Sequence, residues 1–307
     1  MTCLGLDTSN YTTSVALFDG ETGTNCSRLL DVAEGQLGLR QSDALFAHVK
    51  RLPELVAQLK AACDLSQIGC VAASTRPRAV EGSYMPCFLA GENLGRCLAQ
   101  VLGVPFYAVS HQQGHLAAAL WSAGKTELMD GSFLAWHLSG GTTELLLVQP
   151  GEDLLSASRI GGTSDLAAGQ LIDRTGKLLG LRFPAGKALD ALSVQAQDAP
   201  KPFVPTIREL ELSFSGLENK AKALHEAGTP DADVAAFVLH SVCRTVRKVT
   251  LKAMQTYPGL PVLFTGGVSS NQMLRKTMPE GIFAEPAYST DNALGVALLG
   301  WRKERNQ

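Results

Sequence analysis

Two stretches of the chain share one arrangement of hydrophobic and polar positions. Residues 134–148 read LAWHLSGGTTELLLV, in which a Ser-Gly-Gly turn separates two apolar runs. Residues 4–18 read LGLDTSNYTTSVALF, and a shift of 130 positions (134 − 4) aligns Ser9 with Ser139. Apolar runs joined by a turn of small residues are typical of β-hairpins, whose glycines can adopt positive φ or let a ligand approach the backbone. The pattern predicts two related hairpins, although hairpins in general use few residue types.

The remaining periodicity predicts strands and helices around these hairpins. Apolar runs predict strands over residues 24–32, 68–74, 105–109, 154–160 and 261–265. Helical spacing of apolar residues predicts helices over residues 42–63, 87–102, 111–121, 165–179 and 231–254. Each hairpin is therefore followed by a third strand, and strands alternate with helices. This order indicates a duplicated α/β fold.

A polar segment bounded by glycines, residues 124–131, marks the predicted domain boundary. The 307 residues suffice for two domains of ordinary size. We expect an N-terminal domain over residues 1–125 and a C-terminal domain over residues 126–307. A repeat of 130 residues is too long for a solenoid unit, which has about 20 to 50 residues. Two such domains could instead present their small-residue turns to one ligand.

Composition narrows the class of protein. No apolar run reaches the roughly 18 residues that a membrane span requires, and the N-terminus has no basic leader of the kind that signal peptides carry. The seven cysteines are odd in number and form no CxxC pair, which favours free thiols in a reducing cytoplasm. We therefore expect a soluble cytoplasmic protein with no membrane partner. The net charge of −2 means that any nucleic acid must bind to local basic patches.

One such patch is a stripe of basic residues on the predicted helix over residues 231–254. It consists of Arg244, Arg247, Lys248 and Lys252. Most stripes of this kind are simply solvated.

Two histidines offer the first candidate chemistry. Ser110 is a plausible helix N-cap, which places His111 and His115 one turn apart on the same helix face. Imidazoles at this spacing can hold one metal ion, but paired surface or core histidines are more common. A metal site needs a third ligand, and Asp291 near the start of the last helix is a candidate. Its simpler interpretation is a helix cap.

Glycines and carboxylates in the second half suggest a nucleotide site. Gly266 and Gly267 stand between a predicted strand and helix, an arrangement that brings backbone N–H groups to an anion or purine. The alternative is a tight turn without a ligand. Asp165, Asp173 and Asp190 could bind ribose hydroxyls or a hydrated cation, or could be solvated helix carboxylates. The chain has neither GxxxxGK[ST] nor GxGxxG, so neither a P-loop nor a dinucleotide-binding fold is predicted.

Eight motifs together resemble a known family. They are GLDTSNYTTSVALFD, SHQQGH, LSGGTTELLLV, DLAAGQLIDRTGKLLGL, FPAGKALD, LSFSGL, FTGGVSSN and STDNA, in the family's order over nearly the whole chain. The sequence is similar to the tRNA threonylcarbamoyladenosine synthase family, formerly described as O-sialoglycoprotein endopeptidases. This family belongs to the superfamily of actin, sugar kinases and heat-shock ATPases. The resemblance implies a duplicated actin-like α/β fold with two lobes around a nucleotide cleft.

The resemblance also implies site residues. His111, His115 and Asp291 would hold one divalent metal ion, iron or zinc. The contacts to ATP or threonylcarbamoyl-adenylate would come from His137, Leu138, Ser139, Gly140, Gly141, Asp173, Gly186, Asp190 and Asn271, together with Gly266 and Gly267 at the strand-to-helix turn.

The implied reaction transfers a threonylcarbamoyl group from the adenylate to the exocyclic amine of an adenine in the tRNA anticodon loop. AMP would leave, and no protein nucleophile is needed. The implied partners are tRNA, an enzyme that forms the adenylate and small accessory subunits, with a homodimer or heterodimer possible.

Several positions depart from the family pattern. Tyr11 and Thr12 replace an acidic pair, so any acid–base or positioning task of those carboxylates is missing. The loop at residues 75–86 replaces a Pro-Gly loop, Thr142 replaces His or Asn, and Ala185 replaces a glycine. These changes suggest a diverged paralogue.

The departures leave alternatives to the family reaction open. One is a nucleotide-binding regulatory paralogue without catalysis, and another is a carbamoyl transferase with a different acceptor. A metallopeptidase is a poor interpretation, because HxxxH lacks the glutamate of HExxH that would activate water.

Overall fold

The computed structural model of the protein describes residues 1–9, 11–31, 39–151, 154–289 and 291–306. The strands of this part of the chain are β1 (Thr2–Ser9), β2 (Thr12–Phe18), β3 (Gly23–Leu29), β4 (Ile68–Arg76), β5 (Phe106–Ser110), β6 (Phe133–Leu138), β7 (Thr143–Gly151), β8 (Leu154–Thr163), β9 (Glu211–Leu212), β10 (Val262–Thr265) and β11 (Ile282–Phe283). The α-helices are α1 (Gln41–Ala62), α2 (Leu89–Leu102), α3 (His111–Ser122), α4 (Ala168–Leu178), α5 (Gly186–Ser193), α6 (Ser215–Glu226), α7 (Asp231–Thr256), α8 (Gln272–Thr277) and α9 (Leu294–Arg305).

The strands form two mixed sheets with corresponding orders. Among the described residues, one sheet has the order β3-β2-β1-β4-β5 and the other the order β11-β10-β6-β7-β8-β9. In the first, β1 is antiparallel to β2 and parallel to β4, and β4 is parallel to β5. In the second, β6 is antiparallel to β7 and parallel to β10, and β10 is parallel to β11. The predicted duplicated α/β fold is confirmed.

The duplication extends to the hairpin register. Cys3 lies opposite Phe18 in the first hairpin, and Phe133 lies opposite Val148 in the second. Both pairs differ by the same 130 positions (133 − 3 and 148 − 18). Because a slip of one residue would turn every side chain to the opposite face, the shared register preserves the same inward and outward positions in both sheets.

The chain divides into two compact units. The first consists of Met1–Gly131, Gln149–Ala157 and Thr290–Gln307, and the second of Ser132–Val148 and Ser158–Ser289. The division of the sequence into domains of residues 1–125 and 126–307 stays a prediction.

Buried apolar side chains on the central strands build the core of the first unit. Leu6 and Val71 are fully buried in the sheet, and α1 contributes Leu52, Leu55 and Leu59 to the same cluster. These three leucines follow helical spacing, which gives α1 one apolar face. Pro53 lies inside α1, and the helix continues past it to Ala62.

The core of the second unit is centred on β6, β10 and α7. Trp136 and Phe264 are fully buried on neighbouring parallel strands. The indole of Trp136 donates to Thr250 Oγ1 on α7 at 2.8 Å, so the polar edge of this large side chain is satisfied inside the core.

Some predicted boundaries are wrong. Helix α4 begins at Ala168, three residues after the predicted start at residue 165. Asp165 lies in the preceding loop, where its carboxylate accepts hydrogen bonds from the hydroxyls of Ser213 and Ser215. This carboxylate joins two loops, because bonds to residues far along the chain outcompete a local helix start.

The starts of two further helices differ from the predicted ones. A 3-10 turn over Gly267–Ser270 separates β10 from α8, and Asn271 caps α8 with its side chain. Helix α9 begins at Leu294, so Asp291 precedes the helix. Val32, the predicted end of the third strand, lies outside the described residues. No helix in the described ranges is long and apolar enough to cross a membrane.

A buried histidine makes the stability of the first unit depend on pH. His48 is fully buried on α1, and its Nδ1 lies 2.8 Å from Thr13 Oγ1. Burial lowers the pKa of His48 from its ordinary value to about 4, outweighing the nearby charge of Asp7. The unfolded chain therefore binds a proton at this side chain at a higher pH than the folded protein does.

We expect the stabilisation from neutral His48 to be complete above about pH 6.5 and to be lost as the pH falls towards 4. The loss should be at most about 3 kcal/mol in the free energy of unfolding. Urea unfolding of the protein and of His48→Gln at several pH values measures it. The variant should show a flatter dependence over this window, and equal slopes would contradict the assignment.

Candidate metal centre and nucleotide-contact residues

The start of α3 is fixed by a capping box. Ser110 Oγ accepts a hydrogen bond from Gln113 N at 3.2 Å, and Gln113 Oε1 accepts one from Ser110 N at 2.7 Å. Gln113 Nε2 also donates to the carbonyl oxygen of Leu155 at 2.7 Å. The predicted N-cap is therefore confirmed in its geometry, and these bonds hold His111 at the first helical position.

Helices α3 and α9 cross at two glycines. A Cβ atom on Gly295 would lie 1.9 Å from the carbonyl oxygen of Gly114, and one on Gly114 would lie 2.9 Å from Val296 Cγ2. The backbones of the two helices are thus in direct contact, which larger residues would prevent. This crossing brings the segment before α9, with Asp291, to the histidines of α3.

The structure places His111, His115 and Asp291 together. Asp291 Oδ1 lies 3.0 Å from His115 Nε2 and 3.5 Å from His111 Nε2. One ligand atom from each residue lies within 4.8 Å of the other two. Two imidazole nitrogens and a carboxylate oxygen suit iron or zinc, and they leave coordination positions open. The donor set therefore fits a divalent metal ion, and its binding stays a prediction.

Sequence reasoning missed a second carboxylate at this centre. Asp7, at the carboxyl end of β1, is fully buried, and its Oδ2 lies 2.9 Å from His111 Nδ1. Ser74 Oγ on β4 donates to the other carboxylate oxygen. A carboxylate on Nδ1 fixes the tautomer and leaves the Nε2 lone pair directed towards a metal. The position of Asp7 on its strand was a signal that could have found it, because β1, β4 and β5 are parallel and their carboxyl ends meet at one edge of the sheet.

The charges at the centre shift two pKa values in opposite directions. Burial by itself would lower the pKa of His111, but Asp7 and Asp291 together raise it to about 10. Burial would likewise raise the pKa of Asp291, but hydrogen bonds and charges of His111 and His115 lower it well below its ordinary range. The centre is thus built to hold positive charge between its carboxylates.

The turn of the second hairpin is open on its outer side. On the inner side, two hydrogen bonds connect Ser139 to Thr142. The N–H of Ser139 donates to Thr142 O at 2.8 Å, and Ser139 Oγ accepts from Thr142 N at 3.1 Å. Gly140 and Gly141 do not adopt positive φ, so the sequence argument from conformational freedom is wrong for them. A Cβ on either would meet nothing within 4 Å. Neither backbone strain nor internal packing requires these glycines.

Helix α4 begins directly on this turn. A Cβ on Gly169 would lie 2.5 Å from the carbonyl oxygen of Ser139, and Ala168 N donates to Thr143 Oγ1 at 2.8 Å. The first turn of α4 therefore lies against the Ser139-Gly140 backbone. Sequence reasoning also missed Gly169, because its neighbour in the structure, Ser139, lies 30 residues earlier in the chain.

The structure pairs two of the other predicted nucleotide-contact residues. Asn271 Nδ2 donates to Asp190 Oδ1 at 2.8 Å, while Asn271 Oδ1 accepts from Leu274 N at 3.0 Å. Asp173 instead accepts a hydrogen bond from Ala185 N at 2.8 Å, beside Gly186 at the start of α5. Burial raises the pKa of Asp173.

The remaining predicted residues have different structural explanations. Gly266 has φ +91°, and a Cβ there would lie 2.3 Å from the carbonyl oxygen of Leu138, so the fold itself requires this glycine. Gly186 and Gly267 have open space at the Cβ position. His137 lies on β6 between Glu144 of β7 and Thr265 of β10.

Comparison with known proteins now identifies the family. The model of the family described as tRNA N6-adenosine threonylcarbamoyltransferase matches residues 36–298. The chain belongs to this family. It is 34% identical over 316 residues to a tRNA N6-adenosine threonylcarbamoyltransferase of Thermus thermophilus, covering 99% of this chain and 94% of the relative. The enzyme of the same name from Rhizobium etli is 31% identical, with 98% and 88% covered.

Solved structures show the fold. The activator of the 2-hydroxyisocaproyl-CoA dehydratase from Clostridium difficile with bound ADPNP superposes with a TM-score of 0.55 at 13% identity, covering 100% of this chain and 96% of the activator. Full-length HypF in its phosphate- and nucleotide-bound form gives 0.60 at 13% identity, with 97% and 54% covered. This member of the threonylcarbamoyltransferase family therefore has the predicted actin-like fold. Its assignment as a transferase is confirmed by the family match and the named relatives.

We expect Asp7→Asn to weaken metal binding at the centre of this threonylcarbamoyltransferase family member about 10- to 100-fold, because the amide orients His111 less firmly. Competition of zinc or iron(II) against a chromophoric chelator measures the change. Asp64→Asn removes an exposed carboxylate of the same unit and is the matched control. Equal affinities of Asp7→Asn and the control would contradict the role of Asp7.

We expect Gly295→Ala to separate α9 from α3, because the added methyl overlaps the Gly114 carbonyl. Overpacking of this kind costs about 1 to 3 kcal/mol, and metal affinity should fall as Asp291 moves away. Thermal unfolding and the chelator competition measure both effects. Gly131→Ala, where a Cβ meets nothing within 4 Å, is the control. A fully stable Gly295→Ala variant with undiminished metal affinity would show that the crossing does not position Asp291.

Proposed function

We propose that the protein transfers a threonylcarbamoyl group from threonylcarbamoyl-adenylate to the N6 amine of an adenosine in the tRNA anticodon loop. The observation that carries the proposal is the convergence of His111, His115 and Asp291 in a chain of the threonylcarbamoyltransferase family. Curated relatives of that name support the reaction class. The bound metal, iron or zinc, and the adenylate substrate are part of the proposal.

The reaction needs no covalent intermediate on the protein. The N6 amine forms a bond to the carbamoyl carbon, the bond from that carbon to the adenylate oxygen breaks, and AMP leaves with the electron pair. The amine loses a proton as the new bond forms. When bound, the divalent ion would supply Lewis acidity to substrate oxygens on which negative charge develops. The cysteines and serines of the chain are not expected to act as nucleophiles.

The residues of the first unit orient this centre. Asp7 holds the Nδ1 side of His111, so that Nε2 faces Asp291, and Ser74 holds Asp7 in turn. Side chains locked in this way need no rearrangement when substrate binds, which preserves electrostatic stabilisation of the transition state. Asp7 and Ser74 are positioning residues, because they act through His111.

We assign nucleotide binding to the second unit. Gly140, Gly141, Gly186 and Gly267 leave open space beside the backbone, which suits the approach of phosphate or ribose to N–H groups. The Asp190 carboxylate, already held by Asn271, and the Asp173 carboxylate would accept hydrogen bonds from hydroxyl groups. The remaining contacts are assigned to His137, Leu138, Ser139 and Gly266. ATP is an alternative ligand of the same residues.

One observation favours a second candidate function. Tyr11 is partly exposed, and Thr12 is buried opposite Ser9 at the end of the first hairpin, where the family has two carboxylates. Neither side chain carries a carboxylate, so the acid–base task of an acidic pair has no counterpart at these two positions. The second candidate is a nucleotide-binding paralogue that regulates a related synthase or carbamoylates another acceptor.

The proposed reaction requires partners. An enzyme must form the adenylate, and tRNA must be the acceptor, so we place the reaction in the cytoplasm. We also propose small accessory subunits and a homodimer or heterodimer as the working assembly.

We expect the purified protein to make threonylcarbamoyladenosine when it is supplied with threonine, bicarbonate, ATP, an adenylate-forming enzyme and unmodified tRNA. Mass spectrometry of the digested tRNA measures the product. Substituting His115→Ala or Asp291→Ala should abolish both the bound metal and the product. An authentic synthase under the same conditions is the control.

If the metal-loaded protein binds the adenylate but yields no product where the control does, the transfer to tRNA is refuted and the regulatory paralogue is supported. If product forms without any bound metal, the metal-dependent mechanism is refuted.

A further inference from the structure

A long segment of the second unit carries positive charge only. Residues 234–279 contain no aspartate or glutamate, although the chain has 29 acidic residues in 307 positions. The segment spans most of α7, all of β10 and all of α8. Its basic residues are Arg244, Arg247, Lys248, Lys252, Arg275 and Lys276. A local excess of this size stands out in a chain whose net charge is −2.

The helix gathers these charges on one surface. Arg244, Lys248 and Lys252 follow one another at intervals of four residues, so they form a row along α7 that extends over about 12 Å. Arg247 lies beside this row, and all four side chains are exposed. Lys276, exposed on α8, is close by, because Arg247 Nε donates to the carbonyl oxygen of Thr277 at 3.2 Å. We call these five residues the basic ridge.

The basic ridge has no acidic partner in the part of the chain that the structure describes. Throughout the described ranges, no carboxylate forms an ion pair with any of the five. Some basic residues elsewhere are paired, such as Arg159 with Glu211 and Arg302 with Asp130. Like charges four residues apart destabilise a helix by a few tenths of a kcal/mol per pair. An external anion would remove this repulsion.

The chemistry of the surface favours a nucleic acid backbone over a protein partner. Leu251 is the only exposed large hydrophobic residue on the described part of α7, and it is 37% exposed. Protein interfaces usually need buried aromatic or aliphatic anchors, whereas nucleic acid interfaces are polar and strongly positive. The ridge also begins beside a residue assigned to nucleotide binding, because Cys243, the neighbour of Arg244, contacts Asn271 Oδ1 with its thiol at 3.8 Å.

We propose that the basic ridge binds the phosphate backbone of tRNA. The inference rests on the proposed function, since it names the surface by which the RNA substrate is held. The phosphates would position the RNA without reading its sequence, because side chains of lysine and arginine contact phosphate by charge alone.

The test compares two double charge reversals. Lys248→Glu/Lys252→Glu changes the basic ridge, and Lys60→Glu/Lys201→Glu makes the same change at exposed lysines outside it. The dissociation constant of each variant for unmodified tRNA is measured at several salt concentrations. Loss of two phosphate contacts should lower the slope of log K against log salt by about 1.4 to 1.8 and weaken binding at least about tenfold. The control should keep the slope of the unsubstituted protein.

Thermal unfolding and circular dichroism establish that both variants are folded. Because two glutamates could misfold α7, Lys248→Gln/Lys252→Gln serves as a second variant. It should lower the slope of log K against log salt by a similar amount. If both ridge variants bind tRNA with the affinity and slope of the control, the inference is overturned, and an acidic protein becomes the better partner for the ridge.

A kinetic measurement separates this inference from the proposed function. In the modification assay, the ridge variant should raise the KM for tRNA while kcat at saturating tRNA is kept. An unsubstituted protein that binds tRNA through the ridge but gives no product would refute the transfer reaction alone. A protein that modifies tRNA with an unchanged KM in the ridge variant would refute the ridge alone.

Discussion

The candidate metal centre depends on the contact between the backbones of α3 and α9. Gly114 stands between the two histidines of HQQGH, and Gly295 follows Asp291 by four residues. Because neither glycine has a side chain at the crossing, the helices approach closely enough for one carboxylate oxygen to reach two imidazoles. The three candidate ligands come from distant parts of the chain, and their approach depends on two glycines that are not themselves ligands.

Burial gives this centre its electrostatic character. Asp7 and Asp291 approach His111 from its two ring nitrogens, and Asp7 is completely removed from water. Carboxylates in such surroundings need a positive partner, because an unpaired buried charge is costly. A proton on His111 meets this need in the absence of a cation, which is why its pKa is raised to about 10. A divalent ion would meet the same need with greater charge.

The duplication explains how one fold can supply two kinds of chemistry. Both hairpins have the same register, but the first ends in residues with side chains and the second in Gly140 and Gly141. The first unit offers buried carboxylate and imidazole groups, whereas the second offers backbone without side-chain obstruction beside Asp190 and Asn271.

The amino-acid sequence by itself determined the local features of this protein. The two hairpins, the Ser110 cap and the apolar faces of the long helices follow from neighbours within a few residues, so periodicity and turn residues predict them. The sequence also located His111, His115 and Asp291, although their joint assignment came from the family resemblance and not from spacing. Only the tertiary structure decided which distant groups meet: Asp7 with His111, Gly295 with Gly114, Gly169 with Ser139, and Asp165 with two serines in place of a helix start. The physical reason is that these contacts join residues dozens to hundreds of positions apart, and their energies depend on packing that no local pattern records.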